Sequence, residues 1–226
     1  MARKISKGKC AFCEQIVAKN AITKHLAACE KRLAQLNQPP AGKAKLRQVA
    51  LIHLLVEGRD LPQYWMHIEI PGDALLWYLD DFLRGIWLEC CGHLSAFTIG
   101  DQRYSVMPEP GYGERGMAVK VGSLFRPTVV ALHEYDFGST TELTLKYVGQ
   151  REASYRGFEV SILARNEAPE LVCDICGAPA TQICTQCVWE DKGLLCEQHT
   201  VDHECGEEML LPVVNSPRVG VCGYTG

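Results

Sequence analysis

Residues 64–87 read YWMHIEIPGDALLWYLDDFLRGIW, and this stretch decides the fold class. Tyr64–Ile70 is an apolar-rich segment of strand length. Pro71-Gly72-Asp73 breaks it and offers Asp73 as the N-cap of a helix. Leu75, Leu76, Leu79, Phe82, Leu83, Ile86 and Trp87 then recur at helical spacing with Asp80, Asp81 and Arg84 between them, which predicts an amphipathic helix packed on a sheet. Upstream, Val49–Glu57 alternates with Ala50, Ile52, Leu54 and Val56 on one side, so it predicts another strand. Downstream, strands are expected at Ser95–Ile99, Gln102–Val106, Val129–Phe137, Glu142–Val148 and Phe158–Leu163. Met107–Gly116, rich in Pro and Gly, reads as a long loop. Residues 49–168 therefore form an α+β domain.

Within that domain three stretches stand out: Trp87–Phe97 (WLECCGHLSAF), Gly100–Tyr104 (GDQRY) and His133–Gly138 (HEYDFG). In order and spacing they resemble the landmarks of the plasmid Ri ORF-three-like family over residues 49–150. The resemblance implies an antiparallel sheet and an association with plasmids and mobile elements; it implies no activity. Ser95 stands where the family pattern has a second histidine, and Ser139 where it has an acidic residue, which weakens any metal or catalytic role for those positions.

Beyond this domain, residues 169–211 hold four close pairs of soft ligands: Cys173/Cys176, Cys184/Cys187, Cys196/His199 and His203/Cys205. A tetrahedral structural zinc takes four Cys or His ligands, so eight in so short a span mean two ions. The topology is then interleaved, with the first and third pairs on one ion and the second and fourth on the other. Asp202 could compete for a place, and His199 and His203 at helical spacing could share one ion. The alternative is a disulfide framework, the usual reading of twelve cysteines in a secreted domain. Histidines completing the pairs argue against it, as does an opening, MARKISKGKCAFCEQ, without an apolar signal segment. The spacing resembles the B-box and, in its closing His and Cys, the HIT-type finger, although the final H-x-C departs from the B-box pattern. The resemblance implies that Cys173, Cys176, Cys196 and His199 hold one ion and Cys184, Cys187, His203 and Cys205 the other, and that the module binds protein. Zinc would supply folding free energy of order 10 kcal/mol per site. Residues 212–226 carry no charge but Arg218 and are expected to dock back as an extended segment or to serve as a partner-binding strand.

A third site lies in residues 1–34 as Cys10-x2-Cys13-x11-His25-x3-Cys29, a spacing that resembles a ββα zinc finger with Cys for the second His. His25 and Cys29 fall one turn apart on a helix through Ala21–Lys24, with Val17, Ile22 and Leu26 as the small core. Three zinc ions are thus expected. Residues 1–47 hold eleven Lys/Arg against Glu14 and Glu30, a net of +9 in a chain whose total is −4, so the remainder is −13. Such a split suits a basic arm for an anionic partner, or a solvated leader. The base-reading places of the finger helix hold Ala18, Ala21 and Lys24, and two alanines cannot discriminate bases, so nucleic acid binding through residues 1–47 would not be sequence-specific. Residues 35–48, with Pro39-Pro40-Ala41-Gly42, read as a linker, and the finger is expected to move independently.

The candidates for catalysis are Cys90, Cys91 and His93 beside Glu89, with His133, Glu134 and Asp136 on a strand that could approach them. Alternation sets His133 and Asp136 on opposite faces, which makes a joint site poor. A fourth metal site on Cys90, Cys91 and His93 is a further alternative, and so is plain packing of two vicinal cysteines. No nucleotide-binding, serine-hydrolase or metalloprotease motif occurs, and no apolar run is long enough to span a membrane. The expectation is a cytoplasmic, zinc-binding, non-enzymatic adaptor of a mobile-element or defence system, with a protein partner. The alternative is an enzyme acting on nucleic acid or peptide at Glu89–His93 beside the 108–116 loop.

Overall fold

A computed structural model of the chain describes residues 5–38, 42–43, 45–190, 192–201 and 203–226. Arg3 and Lys4 of the basic segment, the linker residues Pro39, Pro40 and Ala41, and the competing ligand Asp202 lie outside the described residues. The elements are β1 (Lys7–Cys10), β2 (Ile16–Ala18), α1 (Lys19–Ala28), α2 (Glu30–Leu36), β3 (Arg47–Gly58), β4 (Trp65–Pro71), α3 (Leu76–Leu83), β5 (Ser95–Ile99), β6 (Gln102–Ser105), β7 (Arg115–Gly116), α4 (Val121–Leu124), β8 (Val130–Tyr135), β9 (Thr141–Tyr155), β10 (Ser161–Asn166), β11 (Gln182–Cys184), β12 (Leu194–Leu195), α5 (Glu197–Thr200) and β13 (Leu210–Pro212). The fold is mixed α+β. Ten strands form one sheet in the order β2-β1-β10-β4-β3-β9-β8-β5-β6-β7, antiparallel except for the short β6–β7 edge, and β12-β11-β13 form a second sheet. Among the described residues no helix is long and apolar enough to cross a membrane.

The stretch 64–87 folds as strand, turn and helix. β4 is buried along its whole length because both of its faces are covered. Met66, Ile68 and Ile70 pack in the main core with Leu76, Leu79 and Leu83 of α3. Trp65, on the opposite face, packs with Ile22 and Leu26 of α1 and with Leu163 and Ala164 of β10. The helix differs from expectation in two respects. Asp73 does not cap it: Leu75 is the N-cap, and Asp73 instead accepts two hydrogen bonds from Arg47, a charge-assisted bidentate pair that a single backbone N–H cannot match. Past Leu83 the chain continues as a wider π-helical turn, Arg84–Leu88, which leaves both Trp87 and Leu88 buried.

The N-terminal segment is part of the main sheet, which corrects the expectation of an independently moving finger. β1 pairs with β10, Gly8 facing Asn166, and β2 pairs with β1. The covered face of β4 explains the union. It presents His67 and Glu69, and Glu69 is buried between Arg32 of α2 (2.8 Å) and Arg151 of β9 (2.7 and 2.9 Å). Lys19 adds an ion pair to Glu57. Arg47 and Gln48, read as linker, already belong to β3.

Several strands differ in length from their sequence signal. β9 runs to Tyr155 because it pairs with β3 along that strand's whole length, with a bulge between His53 and Leu54. β10 begins at Ser161, three residues later than expected. The tail docks as expected, though as a succession of turns and not as an extended segment. Arg218 draws it in: it is fully buried, donating to Asp136 (2.7 Å), to Thr141 Oγ1 and to the Ser139 carbonyl. Ser216 donates to the Trp87 carbonyl, and the Asn215 carbonyl accepts from Trp87 and Arg165.

The close approach of β1 to its neighbours leaves no room for a side chain at Gly8. A Cβ there would lie 2.5 Å from the Arg165 carbonyl oxygen and 2.5 Å from the Trp65 ring. Gly8→Ala should therefore lower stability by about 1–3 kcal/mol, read by urea unfolding, and speed hydrogen exchange in β1. Separately, His53 and His67 share a 2.8 Å hydrogen bond that requires an unprotonated acceptor. Burial pushes their pKa values down from 6.5 to about 4 and about 3. The unfolded rings take protons below about 6.5 while the folded ones do not, so stability is complete above that pH and falls as pH drops toward 4. At pH 5 the loss should be on the order of 2 kcal/mol for the His53 ring, and His53→Gln with His67→Gln should flatten the decline between pH 6.5 and 5.

Candidate metal centres

The sequence-predicted ligands come together in three groups, each of three cysteines and one histidine whose donor atoms lie within 4.8 Å of one another. In the finger, Cys10 ends β1 and Cys13 sits in the tight turn beyond it, where Glu14 adopts a left-handed φ of 64°. His25 projects from α1, and Cys29 sits in extended conformation at the break between α1 and α2. Cys13 Sγ lies 3.3 Å from His25 Nε2, and Cys10 Sγ lies 4.0 Å from Cys29 Sγ.

The C-terminal module interleaves its pairs. Cys173, Cys176, Cys196 and His199 form one group: His199 Nδ1 is 3.5 Å from Cys173 Sγ and 3.3 Å from Cys196 Sγ, and Cys176 and Cys196 are 3.7 Å apart. Cys184, Cys187, His203 and Cys205 form the other, with Cys187 Sγ 3.6 Å from both His203 Nε2 and Cys205 Sγ. His199 and His203 thus fall in different groups. The short sheet explains the alternation. Cys184 ends β11, Cys196 comes directly after β12, and Gly177 at φ 73° turns the Cys173–Cys176 loop back on itself. Desolvation disfavours the Cys173 thiolate, but the N–H groups of Cys176, Cys196 and Ile175 and the His199 ring outweigh it and bring the pKa down to about 6. Cys184 behaves in the same way: desolvation is outweighed by the Cys187 N–H and the His203 ring, and the pKa falls to about 7. The leading cysteine of each C-x2-C pair in this module is thereby suited to serve as an anionic ligand.

A fourth group of the same composition, Cys90, Cys91, His93 and Cys222, could also hold a metal ion. Cys222 was missed from the sequence because it stands alone in the tail. Its only signal was arithmetic: with it, the four groups take up all twelve cysteines.

Of the residues weighed for catalysis, Cys90, Cys91, His93 and Asp136 come together, while Glu89, His133 and Glu134 are taken up by other partners. Desolvation raises the Glu89 pKa, but Arg84, the Gly92 N–H and the Tyr135 hydroxyl outweigh it and hold the carboxyl below the usual range, so Glu89 is a committed acceptor and no free base. His133 is fully buried and its Nε2 bonds Asp80 (2.8 Å), whose other oxygen accepts from Ser95. Asp136 leaves the strand at φ 64° to meet Arg218, so His133 and Asp136 serve different partners, as the alternation predicted. Glu134 pairs with Arg103. Cys91 Sγ lies 3.0 Å from His93 Nε2, and Asp136 lies 3.5 Å from that same nitrogen. A nucleophile relay needs the base to use one ring nitrogen and its orienting carboxylate the other, and this arrangement lacks that. The 107–116 segment bonds to Gln102 and Arg103 and adds β7 to the sheet edge.

No family model matches the chain, and no curated protein does. Among solved structures it is similar to the protein of unknown function MM3350 from Methanosarcina mazei Go1, at 16% identity and a TM-score of 0.43, covering 71% of this chain and 85% of that one.

Breaking the ion pair that holds the tail beside the fourth group has a defined cost. Arg218→Met strands Asp136 as an uncompensated, nearly buried charge and should destabilise the protein by about 3–5 kcal/mol in urea unfolding. Adding Asp136→Asn should restore part of that loss.

Proposed function

We propose that the chain is a zinc-binding, non-enzymatic adaptor whose C-terminal module binds a protein partner. The observation that carries this reading is the set of three Cys3His groups at Cys10/Cys13/His25/Cys29, Cys173/Cys176/Cys196/His199 and Cys184/Cys187/His203/Cys205, each offering four protein ligands. The donor set suits zinc: with sulfur and imidazole at about 2.3 and 2.0 Å from a tetrahedral ion, two sulfurs stand roughly 3.8 Å apart and sulfur and nitrogen roughly 3.5 Å, close to the spacings seen. A four-ligand site keeps no open position for substrate, so the metal supplies architecture and folding free energy.

The module also displays apolar side chains that nothing covers. Ile175 is 64% exposed, Trp189 69% and Val201 75%, on a unit too small to hide them. Aromatic and aliphatic side chains left in water on a rigid module suit a protein partner. Of the eleven Lys/Arg in residues 1–47, Lys19, Arg32 and Arg47 are spent on Glu57, Glu69 and Asp73 of the body, which reduces the charge the segment offers to nucleic acid. A reducing, cytoplasmic setting accords with cysteines grouped by threes around histidines, with no disulfide among them. The mobile-element association is supported by the sequence landmarks at Trp87–Phe97, Gly100–Tyr104 and His133–Gly138.

Elemental analysis of the full-length protein tests the metal reading. Cys13→Ser, Cys176→Ser and Cys187→Ser should each remove one equivalent of zinc, and purified protein with no zinc would sink the proposal. Trp189→Asp with Ile175→Asp should keep the zinc and abolish binding to the partner, measured by calorimetry once the partner is in hand. Undiminished affinity would remove this face from the reading.

A further inference from the structure

We propose that Cys90, Cys91, His93 and Cys222 form a fourth zinc site, one that clamps the C-terminal tail to the end of the α3 helical segment. It stands on residues different from those of the three groups above and does not depend on them. Cys91 is the hub: its Sγ lies 3.7 Å from Cys90 Sγ, 3.7 Å from Cys222 Sγ and 3.0 Å from His93 Nε2, while Cys222 Sγ lies 3.6 Å from that same nitrogen. Three of these four separations suit the edges of a tetrahedron around one small ion and fall in the range of the other three groups, the Cys91–His93 edge being shorter, and all four donor atoms lie within 4.8 Å of one another. A disulfide would join two of these sulfurs and leave the third and the imidazole without a role.

The backbone is shaped for convergence. Adjacent side chains ordinarily diverge, yet after the π-helical turn residues 90 and 91 bend, and Gly92 at φ 80° reverses the chain so that His93 comes back over Cys91. On the tail, Cys222 itself adopts φ 54°, a conformation that non-glycine residues rarely hold. The supporting shell is in place too. The Tyr135 hydroxyl accepts from the N–H groups of Cys90 and His93 and donates to Glu89, which fixes the ligand loop. Arg218 lies 3.5 Å from Cys90 Sγ and offers a cation to a site that three thiolates and Zn²⁺ would leave at −1. Asp136, whose Oδ2 lies 3.5 Å from His93 Nε2, is occupied by Arg218 and by the N–H groups of Gly138 and Ser139.

This site is the most open of the four. Cys91 and Cys222 are both exposed, where the other groups have one exposed ligand, Cys176, or none, so chelators and oxidants reach this ion directly.

Zinc analysis of the full-length protein should find four equivalents, falling to three in Cys222→Ser and likewise in His93→Gln. Three equivalents in the wild type, unchanged in both variants, would overturn the proposal. A measurement on the unmodified chain guards against misfolded variants. With zinc loaded, Cys90, Cys91 and Cys222 should resist iodoacetamide and become reactive after brief chelation, as mapped by mass spectrometry. Equal labelling before and after, or a Cys91–Cys222 disulfide in place of the ion under reducing purification, would also overturn it. This outcome is distinguishable from failure of the three-site reading, which is decided at Cys13, Cys176 and Cys187.

Discussion

The buried Glu69 carboxylate is the constraint on which the rest of the arrangement depends. A central strand with polar residues on one face cannot lie bare against apolar neighbours, and a lone buried carboxylate costs several kcal/mol. Arg32 and Arg151 meet on it, one from the N-terminal segment and one from β9. Their convergence obliges α1 and α2 to sit over β4, brings Trp65 into contact with Ile22 and Leu26, and leaves β1 alongside β10. The finger, the central strand β4 and the long strand β9 are joined through one anion.

Much of the fold was legible because its signals are local. The alternation of Val49–Glu57, the break at Pro71-Gly72 and the helical recurrence from Leu75 to Trp87 each report on their own segment, and each element formed there. What misled was competition from afar. Asp73 is a good N-cap by local rules, yet Arg47 offers a bidentate partner from another strand. The finger looked autonomous because its core of Val17, Ile22 and Leu26 is complete in sequence; nothing local announces that Trp65 completes the same cluster. Strand β9 outruns its apolar signal because its far half is held by pairing and not by burial.

The four Cys/His groups that could hold a metal ion divide along the same line. Three groups are written as close pairs, so spacing alone assembles the ligands, and even the alternation of pairs in the C-terminal module stems from the shortness of the chain between them. The fourth joins residues 129 positions apart, and a cysteine at that distance carries no spacing signal. Its histidine was readable as a candidate base because Cys222 stayed out of view. With the sulfurs of Cys91 and Cys222 both beside Nε2, that nitrogen has the neighbours of a ligand to a shared ion.

The pairing of β1 with β10 also sets an order of events during synthesis. Gly8 leaves the ribosome early, whereas Asn166, the residue it faces, emerges only after most of the sheet has been made. Until then Trp65 lacks one wall of its pocket, and β1 has no neighbour on its β10 side. Closure of so long a loop carries an entropic cost that only late contacts repay. The strand β1 is therefore among the later ones to reach its final place, and what holds its segment in the meantime is the contact of Arg32 and Lys19 with β3 and β4, which are made soon after it.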